Sequence, residues 1–367
     1  VLDADIDAEL AWDIETGSSD VIVAVLDTGA DLSHPDLVSQ IWRTGAGASE
    51  RTGFDATNGT FQPFDLNGHG TAVAGIIGAR SNNGRFIAGV NWDVQLMNVK
   101  VFTDIVIPGD PNEDEEVPNE GDEGDGEEEE EEETFAVGFL SDVLSGLDFA
   151  ISNGASIVNM SLGFTGEGAN DDSDSFFVAL RDARDSGTQG VLAVIAAGNL
   201  TVDNDNNEEL RAYPASYTLS NIISVAASDR SDELASFSNF GKQSVDLAGP
   251  GVGILSLEPG GGTTTEEGTS FAAPHVAGVA ALLKAQDSSR TYLEIKDAIL
   301  NSVDQKPAFA DTTLTGGRLN AYNALLYSGS GVVRSTGLFV NPEGNGDPFW
   351  TQEEAASVDV SLKNFGG

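Results

Sequence analysis

Six short, mostly apolar runs mark the chain: Val21–Leu26, Val94–Val101, Ala155–Met160, Val191–Ala196, Ile222–Ala226 and Val245–Ala248. Each is closed off by Gly, Asn, Asp or Ser. Strands that are apolar without alternation are strands buried on both faces, as in a parallel sheet covered by helices. Helical spacing fills the intervals near His69–Ala79, Leu140–Asn153, Ser175–Ser186 and Ser270–Ala285. Strands alternating with helices predict an α/β domain on a doubly wound, mostly parallel β-sheet flanked by helices.

The texture changes at two places. Asp104–Thr134 holds 17 acidic residues and no basic one, ending in the run Glu127–Glu133. Self-repulsion and the lack of apolar residues to bury predict a solvated insertion without fixed structure over 104–134. From Ser330 the chain is Gly-rich, then alternates through Ala356–Leu362. The expected division is therefore a domain over 1–328, followed by a linker and strand-like segment over 329–367, in the manner of a truncated accessory domain.

Polar residues converge where such a sheet binds ligands, beyond the carboxyl ends of its strands. VIVAVL runs into Asp27, ASIVNM into Ser161 and VLAVIAAG into Asn199. Two helices open on polar residues beside glycine: GHG before TAVAGIIGA, and GTS before FAAPHVAGVAALL. The second is apolar nearly all round and is expected to be buried, with Ser270 at its start and Pro274 in its first turn, where proline costs least. Asp27, His69 and Ser270 are the parts of an activated serine. The imidazole accepts the hydroxyl proton and the carboxylate holds the ring in the required tautomer. The Ser270 amide and the Asn199 side chain are candidate donors to the oxyanion. His34 in SHPDL reads as a turn residue and His275 as a helix residue, both structural.

VAVLDTG (Val23–Gly29), NGHGTAVAG (Asn67–Gly75) and GTSFAAPHVAG (Gly268–Gly278) resemble the three signature motifs of the subtilases, the subtilisin-like serine proteases. The order acid, histidine, serine is the subtilisin order. The resemblance runs from about Asp5 to Tyr327. It implies a serine endopeptidase working through an acyl-enzyme on Ser270, with Asn199 in the oxyanion hole. It implies substrate rails at Ser161–Leu162–Gly163 and Gly138–Phe139–Leu140, a primary pocket lined by Ser161–Gly163, Ala196, Ala197, Gly198 and Asn199, with its floor near Ala212, and Thr269 as a further substrate-binding residue. No acid stands among the pocket residues, so broad or apolar specificity is expected over dibasic cleavage. One departure is Ala72, where the family usually carries a second histidine; packing changes and retained activity are expected.

The resemblance also implies a structural Ca²⁺ held by Asp36 and Asn83 with the backbone of Ser81, Arg85 and Ile87. Oxygen ligands suit that ion, Asn82 competes with Asn83 for the role, and a further ligand would lie upstream of Val1. The plain reading of these residues is a helix-capping acid and turn asparagines. No organic cofactor is expected.

Composition narrows the rest. Of 367 residues, 60 are acidic and 17 basic, a formal charge of −43. Such a surface repels nucleic acid and anionic membranes. With no cysteine, disulfides, thiolate metal sites and thiol nucleophiles are excluded. No apolar run is long enough to span a bilayer. With no initiator Met or leader pattern, the chain is expected to begin inside a longer precursor or to be a processed or trimmed form. The protein is expected to be secreted, with a propeptide cleaved from its precursor, and monomeric, with protein or peptide substrates. The rival from another class is a binding protein that keeps the fold without turnover; the intact Asp27, His69, Ser270 and Asn199 argue against it.

Overall fold

In the computed structural model, which describes residues 4–107, 133–166 and 168–329, the six apolar runs lie in one sheet. From edge to edge its strands are Asp304–Gln305, Gly317–Arg318, Leu247–Pro250, Ile222–Ser228, Leu192–Ala196, Ile157–Met160, Gly17–Asp27, Asp93–Lys100 and Gly53–Asp55. The first pair is antiparallel and every other pairing is parallel.

The mostly apolar character of these strands follows from their cover. Along Gly17–Asp27, Val21, Val23 and Val25 pack on one side, with the helices His69–Gly78 and Thr269–Gln286. Ala24 and Leu26 pack on the other, with Leu140–Ser152 and Ser175–Arg184. Successive side chains point to opposite faces, so a strand serving two cores has few polar positions, and those it has, such as Asn98, Asn159 and Ser224, are buried. Thr269–Gln286 is buried along most of its length, as its all-round apolar pattern predicts. The chain crosses from Gly17–Asp27 to strands on either side of it, and that reversal opens a crevice at its carboxyl end. Asp27 ends this strand.

The structure departs from expectation in three respects. Helices Ala8–Ala11, Tyr292–Leu300 and Ala321–Leu326 add to the expected set, and Thr291 and Glu294 form a capping box at the start of the second. The segment 104–134 begins and ends in ordered backbone, because Phe102–Ile107 pairs antiparallel with Glu133–Gly138; the β-branched and aromatic residues at its two ends favour pairing despite the acids between them. Residues 108–132, like 330–367 with their expected linker and strands, lie outside the described residues. Last, the Ser270 helix begins at Thr269, so Pro274 falls in its second turn and not its first.

Candidate active site

Asp27 is fully buried, and its Oδ1 accepts from the Thr28 amide at 2.7 Å and from His69 Nδ1 at 2.7 Å. A carboxylate in this bond only accepts, so the ring proton sits on Nδ1 and Nε2 is left as the basic nitrogen of the neutral ring. His69 opens its helix, and the residue after it must be glycine. A Cβ on Gly70 would stand 2.2 Å from the Gly29 carbonyl oxygen, where the helix start meets the strand end. Burial alone would lower the His69 pKa. The Asp27 charge and hydrogen bond, with Asp65 and Glu266 behind them, outweigh it and hold the ring above the usual histidine value.

Ser270 is the second residue of its helix, and the neighbouring Phe271 ring lies 5.2 Å from the His69 ring. The Ser270 hydroxyl makes a long contact of 3.4 Å to the Ser161 carbonyl, and no hydrogen bond links it to His69 among the described residues. A hydroxyl turns freely between staggered positions, and such bonds in uncomplexed enzymes are often loose.

Asn199 is fixed by its oxygen. Oδ1 accepts from the Thr269 amide at 2.9 Å and from the Thr269 hydroxyl at 2.8 Å. The other end of the amide, Nδ2, is left as a donor beside Gly268, where an added Cβ would lie 3.3 Å from it. Gly268 adopts φ +145, a conformation that also favours glycine. Two buried asparagines that no sequence motif marks brace this loop. Asn239 Oδ1 accepts from the amides of Leu200 and Val202, and Asn204 Nδ2 donates to the Ala197 carbonyl.

A cavity of about 490 Å³ opens beside Ser270. Ser161, Leu162, Gly163, Ala196, Gly198, Asn199, Ala212 and Thr269 line it as expected. Ala197 does not: it is fully buried behind the wall, because alternate residues of an extended segment face opposite ways. Gly138, Phe139 and Leu140 are exposed and are not on this wall; Gly138 instead pairs with Phe102, which is. Phe102, Phe164, Thr165, Leu200 and Asn239 complete the lining, with no charged side chain among the described residues. The short pairing of Phe164–Thr165 with Ala212–Tyr213 closes one side, a long-range contact that no local pattern signals.

Two residues expected at a metal meet in space. Asn83 Nδ2 donates to Asp36 Oδ1 at 2.7 Å, and the Asn83 oxygen accepts from the Arg85 amide. The Asp36 carboxylate is fully buried and its Oδ2 has no hydrogen-bond partner. An orphaned anionic oxygen is costly, and a hard cation would satisfy it, so the residues fit an oxygen-ligated ion. No cluster of three or more His, Cys, Asp or Glu suited to a metal occurs among the described residues, so backbone carbonyls would have to complete the ligand set.

The family model of the subtilases matches residues 18–321. The chain belongs to the subtilase family. It is 35% identical to the thermophilic serine proteinase of Bacillus sp. strain AK1 over 87% of this chain and 65% of that protein. It is 34% identical to thermitase of Thermoactinomyces vulgaris over 88% of this chain and 94% of that one. The chain thus spans just under two thirds of the first relative and nearly all of the second. Among solved structures, a protease of Pseudoalteromonas arctica superposes with a TM-score of 0.64 at 27% identity, covering 88% of this chain and 93% of its own. This subtilase is a subtilisin-type serine endopeptidase with protein substrates. Relatives include one enzyme named as extracellular and one named as intracellular, and no described helix of the subtilase is long and apolar enough to cross a membrane.

Proposed function

We propose that this subtilase cleaves peptide bonds through an acyl-enzyme on Ser270, with His69 as general base and then acid, Asp27 as its orienting carboxylate, and Asn199 with the Ser270 amide as oxyanion donors. The observation that carries this reading is the 2.7 Å bond from His69 Nδ1 to Asp27, which leaves the basic Nε2 for the hydroxyl at the start of the neighbouring helix. Attack forms the Oγ–carbonyl bond as the proton passes to Nε2. Collapse of the tetrahedral adduct returns that proton to the leaving amine, and water repeats the sequence on the ester. A fluorophosphonate probe should label Ser270 in the wild type, and Ser270→Ala should lose both labelling and hydrolysis. Labelling elsewhere, or turnover surviving in Ser270→Ala, would sink the assignment.

The uncharged cavity favours a broad or apolar side chain before the scissile bond. A methylene there discriminates by only ~1–3 kcal/mol, so selectivity in a peptide library should be graded. Gly138–Leu140 would pair with the substrate backbone opposite Ser161–Gly163. Asp36 and Asn83, with carbonyls of Ser81, Arg85 and Ile87, would hold a Ca²⁺ that supplies structural neutralisation and takes no part in the chemistry. The protein is read as secreted, monomeric and matured by loss of a propeptide; the absence of cysteine and the one relative named as extracellular support the first of these.

A further inference from the structure

Asp65 lies four residues before His69, is 6% exposed, and is neither the nucleophile, the base, its orienting acid nor an oxyanion donor. Both of its oxygens are saturated. Oδ1 accepts from the Thr28 hydroxyl at 2.9 Å and from the amides of Asn67 at 3.1 Å and Gly68 at 2.9 Å. Oδ2 accepts from the Thr71 amide at 2.9 Å and the Thr71 hydroxyl at 2.6 Å.

These donors come from two elements. Asn67, Gly68 and Thr71 surround His69 in the chain, while Thr28 follows Asp27. The Thr28 hydroxyl, having donated to Asp65, accepts from the Gly70 amide at 2.9 Å, and the Thr28 amide donates to Asp27. Asp27 and His69 are thus joined twice: directly, and through a loop of bonds centred on the Asp65 carboxylate. We propose that Asp65 is a positioning residue of the hydrolysis, clamping the turn that carries His69 so that the ring stays on Asp27. The inference rests on His69 being the base.

Simple helix capping would need only the bonds to Asn67, Gly68 and Thr71. The bond to Thr28 reaches the neighbouring strand and serves the registry of the two catalytic side chains. Charge adds a second effect. The ionisable groups acting on the His69 ring are Asp27 from the strand, Asp65 from the turn and Glu266 from the hairpin before Ser270, while the Phe271 ring against it is neutral. Removing Asp65 removes one of three negative charges that favour the imidazolium.

Asp65→Asn keeps the shape, but its amide nitrogen cannot accept, so either the Thr71 amide or the amides of Asn67 and Gly68 lose their acceptor. The expected result is a fall in kcat on the order of 10-fold or more, KM changed less than about twofold, and the acid limb of kcat/KM moved to lower pH. Thr28→Val removes the hydroxyl and no charge. It should lower kcat while leaving that limb nearly in place. A folded Asp65→Asn enzyme with wild-type kcat and an unmoved acid limb overturns the proposal. So does Thr28→Val acting through KM alone, which decides the matter if Asp65→Asn does not fold. His69→Ala separates the two readings. If it retains turnover, the base itself is misassigned; if it is dead while Asp65→Asn is normal, only the role of Asp65 fails.

Discussion

The Ser161 hydroxyl donates a 2.6 Å hydrogen bond to the backbone carbonyl of Ser270. In a regular helix that carbonyl would receive the amide four residues on, but residue 274 is proline and has none. The proline therefore opens an acceptor at the nucleophile, and a side chain at the end of Ile157–Met160 fills it. Asn159 Nδ2 donates in turn to the Ser161 oxygen at 3.0 Å. The nucleophile is tied to the central sheet by a bond that exists because its own helix is incomplete.

Ser161→Ala should therefore lower stability by about 1 kcal/mol and reduce kcat/KM several-fold. Pro274→Ala restores a helical donor, so the double variant should recover part of the loss. A double-mutant cycle on Tm and kcat/KM reads this, and additive effects would show that the two sites are not linked.

Asn199→Ala removes the side-chain oxyanion donor. The expected fall in kcat is about 10²–10³, the range for removing one such donor in subtilisin itself, with little change in KM. Gly268→Ala should show a weaker version of the same loss, since the added methyl presses on Nδ2 and the backbone there favours glycine.

The pH profile follows from His69. The base works neutral, and its raised pKa puts the acid limb of kcat/KM above the ordinary imidazole value of about 6.5. Stability runs the other way. A raised folded pKa contributes stability fully below the unfolded pKa, and that contribution is lost as pH rises through the folded one. Asp27→Asn should move the acid limb down and lower kcat, as a pH–rate series on both proteins will show.

His275 titrates oppositely. Burial in the helix pulls it down to about 4, against a hydrogen bond from Nδ1 to the Phe271 carbonyl at 2.8 Å. The unfolded chain takes up a proton near pH 6.5 that the folded one refuses, so stability should fall between about pH 6.5 and 4 and then level. His275→Gln should flatten that part of the Tm–pH curve.

Chelation tests Asp36. Chelator should lower the Tm and Ca²⁺ restore it. Asp36→Asn should abolish most of the difference, because the orphaned anionic oxygen is the feature that favours the ion. Equal Tm values with and without Ca²⁺ in the wild type would leave the carboxylate without that role.

The double burial of the sheet is written in Val21–Leu26 and Val191–Ala196, because a strand covered on both faces is apolar at nearly every position. Asp27, His69 and Ser270 are legible for a similar reason: each lies at or next to the end or start of an element, beside glycines such as Gly70 whose missing Cβ admits another backbone. The roles of Ala197 and Asp65 are not. Whether an alanine faces a cavity or the core depends on which way one peptide turns. A lone aspartate looks the same whether it is solvated or saturated by hydrogen-bond donors. The bond between Ser161 and Ser270 joins residues far apart in the chain, and the cavity is closed by Phe164 and Phe102 from separate pairs of strands. Local pattern records the period and the caps of each element, since those are settled by neighbours in the chain. Which polar group meets which across the crevice is settled by packing between elements, and only the folded molecule decides it.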